Sequence, residues 1–277
     1  MDIEILGTLA VRLNGIPVTP TAPKPRQVLA LLALRAGQVV PVSDLTEELW
    51  GARPPRSARA TLQTYILQLR ELIGAALEKS AADGAQQRGP AKDVLLTVPG
   101  GYLLKEGEGA SDVKDFERLA GCGYRAMDAG DGPRAASLLR EALDLWTGPA
   151  LSGVQVGPQL RTEVRRLEES RLCALDQRVD ADLRLGRHRE LLGELTVLVG
   201  QHPTHESLCG QFMLALYRSG RRGEALDAYQ RLRATLVRTM GLEPSPTLAK
   251  LQRSMLMSGP RTLPGRPTAH APVATLG

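Results

Sequence analysis

Few side chains in this sequence stand at spacings that could do covalent chemistry, and none of the groupings is complete. Ser111 and Lys114 match S-x-x-K but lack the companion motifs that make such a pair an acylating nucleophile. His202 and His205 have H-x-x-H spacing with Pro203 between them and no third ligand nearby, which reads as a surface turn and not as a metal site. Cys122, Cys173 and Cys209 form no C-x-x-C pair, the pattern of reduced thiols. No G-x-x-x-x-G-K-[ST] loop occurs. Nothing assembles an acid, a base and a nucleophile, so the sequence implies no enzyme, no catalytic residue, no metal and no cofactor.

A different chemistry is concentrated between Gly51 and Leu72. Arg53, Arg56, Arg59 and Arg70 there face one acidic residue, Glu71. Basic charge at the start of a helix suits phosphates. From Ala58 onward Leu62, Ile66, Leu69 and Ile73 continue a stripe at i, i+4, i+8, i+11 and i+15, one apolar face of a helix. Opposite or beside it stand Arg59, Thr61, Gln63, Thr64, Gln68 and Arg70, types that donate to base edges and phosphates in a major groove. Thr61, Thr64, Tyr65, Gln68 and Arg70 are the candidates to lie near DNA, with Arg56 and Arg59 holding phosphates. For an isolated helix, a solvated surface is the simpler account. The later run decides against it: Val94, Leu96 and Val98 alternate up to Pro99-Gly-Gly101, and Tyr102 and Leu104 return. In such a hairpin the tip, here Thr97 and Gly100, touches the neighbouring backbone or minor groove.

The elements that must position this helix are also legible. Ile3 and Ile5, then Val11 and Leu13, then Ile16 and Val18 read as strands, the last two runs joined at Asn14-Gly15, where both residues accept the positive φ of a type I′ turn. Pro23 and Pro25 precede a buried helix from Val28 to Leu34 that stops at Gly37, and Val39 and Val40 suit a short strand. Ser43 reads as the N-cap of a second helix whose stripe is Leu45, Leu49 and Trp50. Pro54-Pro55 forces a loop before the third helix. Residues 74–93 read as a flexible insertion. Sheet, three helices and hairpin, in that order, describe a winged helix-turn-helix over residues 1–105, expected to fold and bind alone.

From Ser111 the signal is entirely helical, and it repeats. Gly130, Gly186 and Gly220 each begin a similar run, with Ala135 and Ala225 as the small residues packed beneath, and the last two glycines are separated by the tetratricopeptide period. Leu145-Trp-Thr-Gly-Pro-Ala-Leu151 adds a connection between helices. Such stacked pairs offer a concave surface to a partner. Residues 111–257 are therefore a tetratricopeptide-like domain, and 258–277, rich in proline, a disordered tail. Aromatic residues make up only 3% of the chain, leaving the packing to leucine, valine and alanine, and the net charge of +5 is modest. The fold class is mainly α with a small β component. With no long apolar run, the expected location is the cytoplasm, on the nucleoid, with no membrane partner.

Taken together, Ile5-Leu-Gly7, Pro25-Arg-Gln-Val-Leu-Ala-Leu-Leu-Ala33, Leu45-Thr-Glu-Glu-Leu-Trp50, residues 61–70, Gly100-Gly-Tyr-Leu103, residues 145–151 and Met240-Gly-Leu-Glu-Pro-Ser-Pro-Thr-Leu248 make the chain resemble the Streptomyces antibiotic regulatory protein family. The resemblance implies an OmpR-type winged helix followed by a bacterial transcriptional activation domain. It further implies an activator that binds direct repeats in promoters of specialised-metabolite genes, associates with a second copy on DNA, and recruits RNA polymerase holoenzyme through its sigma factor. Arg53, Pro54 and Pro55, in a stiff exposed loop beside the DNA surface, are the candidate polymerase contact. The alternative from the residues alone is a tetratricopeptide scaffold without DNA binding. A small-molecule sensor on the concave surface is a third reading.

Overall fold

The computed structural model describes residues 1–82 and 90–257. The proposed tail and the middle of the proposed insertion lie outside them. The N-terminal sheet has the order β1 (Asp2–Glu4), β2 (Ala10–Leu13), β3 (Ile16–Pro17), all antiparallel, and Asn14 and Gly15 turn it at φ 52° and 79°. Helix α1 (Pro23–Leu34) starts on prolines, whose fixed φ and missing N–H suit a first turn, and is buried throughout from Val28 to Ala33. Helix α2 (Val42–Trp50) begins two residues earlier than a Ser43 cap implies. Pro41 occupies the N-cap and Ser43 bonds Asp44 from inside the first turn, so the expected serine cap is not formed. A second sheet, ordered β4 (Val39–Pro41), β6 (Gly101–Leu104), β5 (Leu95–Val98), makes the wing three-stranded.

Helix α3 (Ala58–Ala82) buries all five predicted stripe residues and then Ala76 and Ser80. Its length corrects the expected insertion: residues 74–82 continue the apolar period as helix, and α4 (Ala91–Val94) leads directly into β5. Asn14 donates its amide to Ser80 Oγ at 3.1 Å, tying the first hairpin to the far end of α3.

The contacts of the chain part at residue 185 and not at 105–111: one compact unit runs from Met1 to Leu185 and a second begins at Gly186. The first unit includes α5 (Asp112–Asp128), α6 (Gly132–Asp144) and α7 (Pro158–Arg184). A single hydrophobic cluster joins Ile5, Leu6, Leu31 and Leu45 of the N-terminal elements to Phe116, Leu139, Trp146, Leu160 and Leu167 of the helices. Phe116 and Trp146 meet edge to face at 5.5 Å, and the Arg171 guanidinium covers the indole at 4.8 Å.

Polar contacts fix the same junction. Residues 5–8 pair with the connection after α6, through Thr147 N donating to Leu6 O at 2.8 Å, Leu151 N to Ile5 O at 2.9 Å and Ser152 N to Gly7 O at 2.8 Å. Gly7 is required there, because a Cβ would stand 2.0 Å from Thr147 Oγ1. On the other side Asp112, at the start of α5, accepts from Ile5 N and Leu6 N at 2.6 and 2.8 Å. The third clamp is Glu48, only 2% exposed. Its carboxylate accepts from Gly157 N and from Leu160 N at 2.9 Å, capping α7, while Gln27 of α1 donates to it at 2.7 Å. Gly157 has no room for a side chain, since a Cβ would lie 2.0 Å from Glu48 O.

The second unit contains α8 (Leu192–Gln201), α9 (Glu206–Arg218), α10 (Arg222–Met240) and α11 (Pro246–Met257). The repeat glycines Gly130, Gly186 and Gly220 all have positive φ, 76°, 81° and 80°, and end α5, the turn after α7, and α9. Ala135 and Ala225 are fully buried, as the period requires. His205 is the N-cap of α9, its Nδ1 accepting from Leu208 N at 3.3 Å, so the H-x-x-H spacing serves a turn. Burial pushes the Cys209 thiol up to about 12, which leaves it protonated and inert.

Because the core crosses residues 105–111, a fragment ending at Lys105 is expected to lack cooperative unfolding in urea, whereas residues 1–185 unfold in one transition. The expectation of an N-terminal domain that folds alone stands against this shared core, and the melt decides between them. In the full chain Glu48→Ala should remove about 2–4 kcal/mol, since it strands buried donors. A cooperatively folded 1–105 fragment would contradict the shared core.

Burial raises the Asp112 carboxyl above its ordinary value of 3.8, overriding the lowering by the N–H groups of Leu6, Ile5 and Val113, while Glu4 adds a smaller repulsion. A folded pKa above the unfolded one gives stability that is complete below pH 3.8 and lost as pH rises through the raised value. Stability of the wild type relative to Asp112→Asn should therefore fall with pH across that window in urea melts. A difference that grows with pH would contradict this.

Candidate nucleic-acid interface

Helix α3 presents two unlike faces. The stripe from Ala58 to Ile73 is buried, and the opposite side, Ala60, Gln63, Thr64, Leu67 and Glu71 at i, i+3, i+4, i+7 and i+11, is exposed along its length. The helix is held by contact with α1 and α2. Lys24 of α1 steadies that pair by donating to Leu49 O at the end of α2 at 3.0 Å, where a cation also suits the helix dipole.

Residues 51–57 cross from α2 to α3 over the surface. Gly51 takes φ 64° to leave α2, and Arg53, Pro54, Pro55, Arg56 and Ser57 are all exposed. Arg59 is exposed in the first turn of α3. Arg53, Arg56 and Arg59 form no ion pair among the described residues, in contrast to the arginines of α7, several of which are matched to carboxylates. Three unmatched guanidinium groups at the start of a helix concentrate positive potential there.

The predicted site residues fall into three groups. Thr64 and Gln68 are exposed on or beside the outer face, and Thr61 is partly exposed on its flank; Thr64 Oγ1 bonds Ala60 O at 3.2 Å. Tyr65 is half-buried and packs against the core, so most of its ring is structural. Arg70 departs from the expected role of base reader. Its Nε and Nη2 donate to Leu95 O at 3.0 and 2.8 Å, and Nη2 also reaches Thr97 Oγ1 at 2.8 Å. The fork is committed to the wing strand, and it occupies the hydroxyl of Thr97 as well. Gly100, at φ 80°, is exposed at the wing tip with open space around it, and Val42 N donates to its carbonyl at 2.9 Å, linking wing and α2. Gly101 fits only because it has no Cβ, which would stand 2.4 Å from Val40 O.

Two further outward residues, Leu67 and Glu71, share this face with Gln63, Thr64 and Gln68, which the sequence already marks as polar groups fit for a major groove. The signal was present: each lies across the helix from the Leu62–Ile66–Leu69 stripe.

A positively charged loop, an exposed polar face on a well-buried helix and a hairpin wing bonded to that helix define a winged-helix protein built to meet nucleic acid. Comparison with known families agrees. Residues 111–256 match the bacterial transcriptional activator domain, and residues 18–83 match the C-terminal domain of transcriptional regulatory proteins. The chain is 54% identical to regulatory protein DnrI of Streptomyces peucetius over 94% of this chain and 93% of that one. It is 38% identical to regulatory protein AfsR of Streptomyces coelicolor over 98% of this chain but only 26% of that relative. The solved structure of Mycobacterium tuberculosis EmbR in complex with a low-affinity phosphopeptide superposes with a TM-score of 0.81 at 32% identity, covering 92% of this chain and 64% of that one. The chain belongs to the Streptomyces antibiotic regulatory protein family, and it is a transcriptional activator.

As a strut, Arg70 should affect all DNA sequences alike. Arg70→Ala is expected to weaken binding uniformly, leave base preference unchanged and speed amide exchange in β5, with a stability loss of about 1–2 kcal/mol. Arg70→Lys should not restore it, because a point charge cannot bridge the carbonyl and hydroxyl together. Relaxed preference at a single base pair would return Arg70 to the role of base reader.

Proposed function

We propose that this activator seats the N-terminal half of α3 in the major groove of promoter DNA. The observation that carries the reading is the pairing of a buried stripe with an exposed face that carries Gln63, Thr64 and Gln68, entered through three arginines that form no ion pair among the described residues. Arg56 and Arg59 hold phosphates at the helix start, Gln63, Thr64 and Gln68 reach base edges, Thr61 lies on the flank, and the wing around Gly100 follows the neighbouring backbone. Two copies occupy direct repeats in the same orientation, about one helical turn apart. The loop of Arg53, Pro54 and Pro55 meets the sigma factor of RNA polymerase, and residues 111–257 support pairing and activation. The work is done at the promoters of specialised-metabolite genes, on the nucleoid in the cytoplasm; no helix among the described residues is long and apolar enough to cross a membrane.

Mobility shifts across a salt series test the first part. Arg56→Ala and Arg59→Ala should each weaken every duplex alike and flatten the salt dependence by about one phosphate, while Thr64→Ala with Gln68→Ala should cost about 1–3 kcal/mol per lost contact and relax preference locally. Half a turn inserted between repeats should abolish activation with purified polymerase, and Arg53→Glu should abolish activation while sparing DNA binding. Absence of any salt-sensitive shift would leave a scaffold, and unchanged activity of the half-turn template would end the tandem arrangement.

A further inference from the structure

Leu67 is 57% exposed at the middle of the outer face of α3. Its neighbours one helical turn away are Gln63, Thr64 and Glu71, all exposed, and Gln68 follows it. The buried stripe needs no contribution from it, since Leu62, Ile66, Leu69 and Ile73 are each no more than 2% exposed. A largely exposed leucine among Gln63, Thr64, Gln68 and Glu71 leaves its side chain free for an apolar counterpart on the ligand. The major groove displays one hydrocarbon group, the C5-methyl of thymine.

We propose that Leu67 is a specificity-determining residue that packs on a thymine methyl of the operator. The assignment rests on the reading of α3 as the helix in the major groove, and it adds to that reading a required T·A pair. Gln63, one turn toward the N-terminus, is placed to take an adenine of the same or the adjacent pair through N6 and N7, the bidentate contact that suits an amide. Because Leu67 is mostly exposed, Leu67→Ala is expected to leave the fold intact, which a thermal melt checks.

The probe is a duplex selected from a random pool by repeated binding to the full chain. Each thymine of the selected site is then replaced singly by deoxyuridine, which deletes only the methyl. One position in each half-site should lose about three- to fivefold in affinity for the wild type, the effect of one buried methyl group. Leu67→Ala should lose a similar factor on the thymine duplex and become indifferent to deoxyuridine at that position alone. If the wild type is indifferent at every thymine, or if Leu67→Ala keeps the wild-type response, Leu67 does not read the methyl, although the docking of α3 stands. A pool that never enriches overturns this assignment and the docking beneath it together.

Discussion

The buried carboxylate of Glu48 is the contact on which the geometry of the interface depends. It lies on α2, one turn before the arginine loop, and it caps α7 while receiving Gln27 of α1. Three helices therefore share one acceptor. This position joins the helix pair that carries α3 to the long helix α7. Gly157 makes the approach possible by having no side chain to obstruct it.

The same logic recurs at the N-terminus of the chain. Residues 3–8 are flanked on one side by residues 110–112 and on the other by the connection after α6, with Asp112 and the backbone of 147–152 supplying the partners. The two family modules meet here, yet hydrophobic cluster and hydrogen bonds pass through without a break. The arrangement makes α3 and the wing part of a body that runs to Leu185. Contacts made by α5, α6 or α7 are thereby felt by the elements that hold α3. A flexible tether between modules would give no such coupling.

Much of this was legible in the sequence where the cause is local. Asn14-Gly15 announced its hairpin because positive φ is a property of those two residues, and Gly130, Gly186 and Gly220 ended their helices for the same reason. The stripe from Ala58 to Ile73 is a matter of period, and it is buried as the period demands. What could not be read depends on distant partners. Glu48 looks like any polar residue of an amphipathic helix until Gly157 and Leu160, 109 and 112 positions later, are folded against it. Arg70 reads as a base contact from its type alone, while the partners it has in the fold, Leu95 and Thr97, lie 25 and 27 positions later in β5. Ser43 had the chemistry of a cap, but β4 runs straight into α2 and leaves Pro41 in that place. The division at 105–111 followed the change from mixed to helical pattern, which marks where the modules differ and not where the packing ends.

One cooperative body holds α3, and native-state hydrogen exchange of the full chain tests this most directly. Amides of α1, α2 and the first half of α7 should converge on a single opening free energy as denaturant is raised, since Glu48 and the common core tie them together. Exchange of α7 through a separate, less costly opening that leaves α1 and α2 protected would contradict the account.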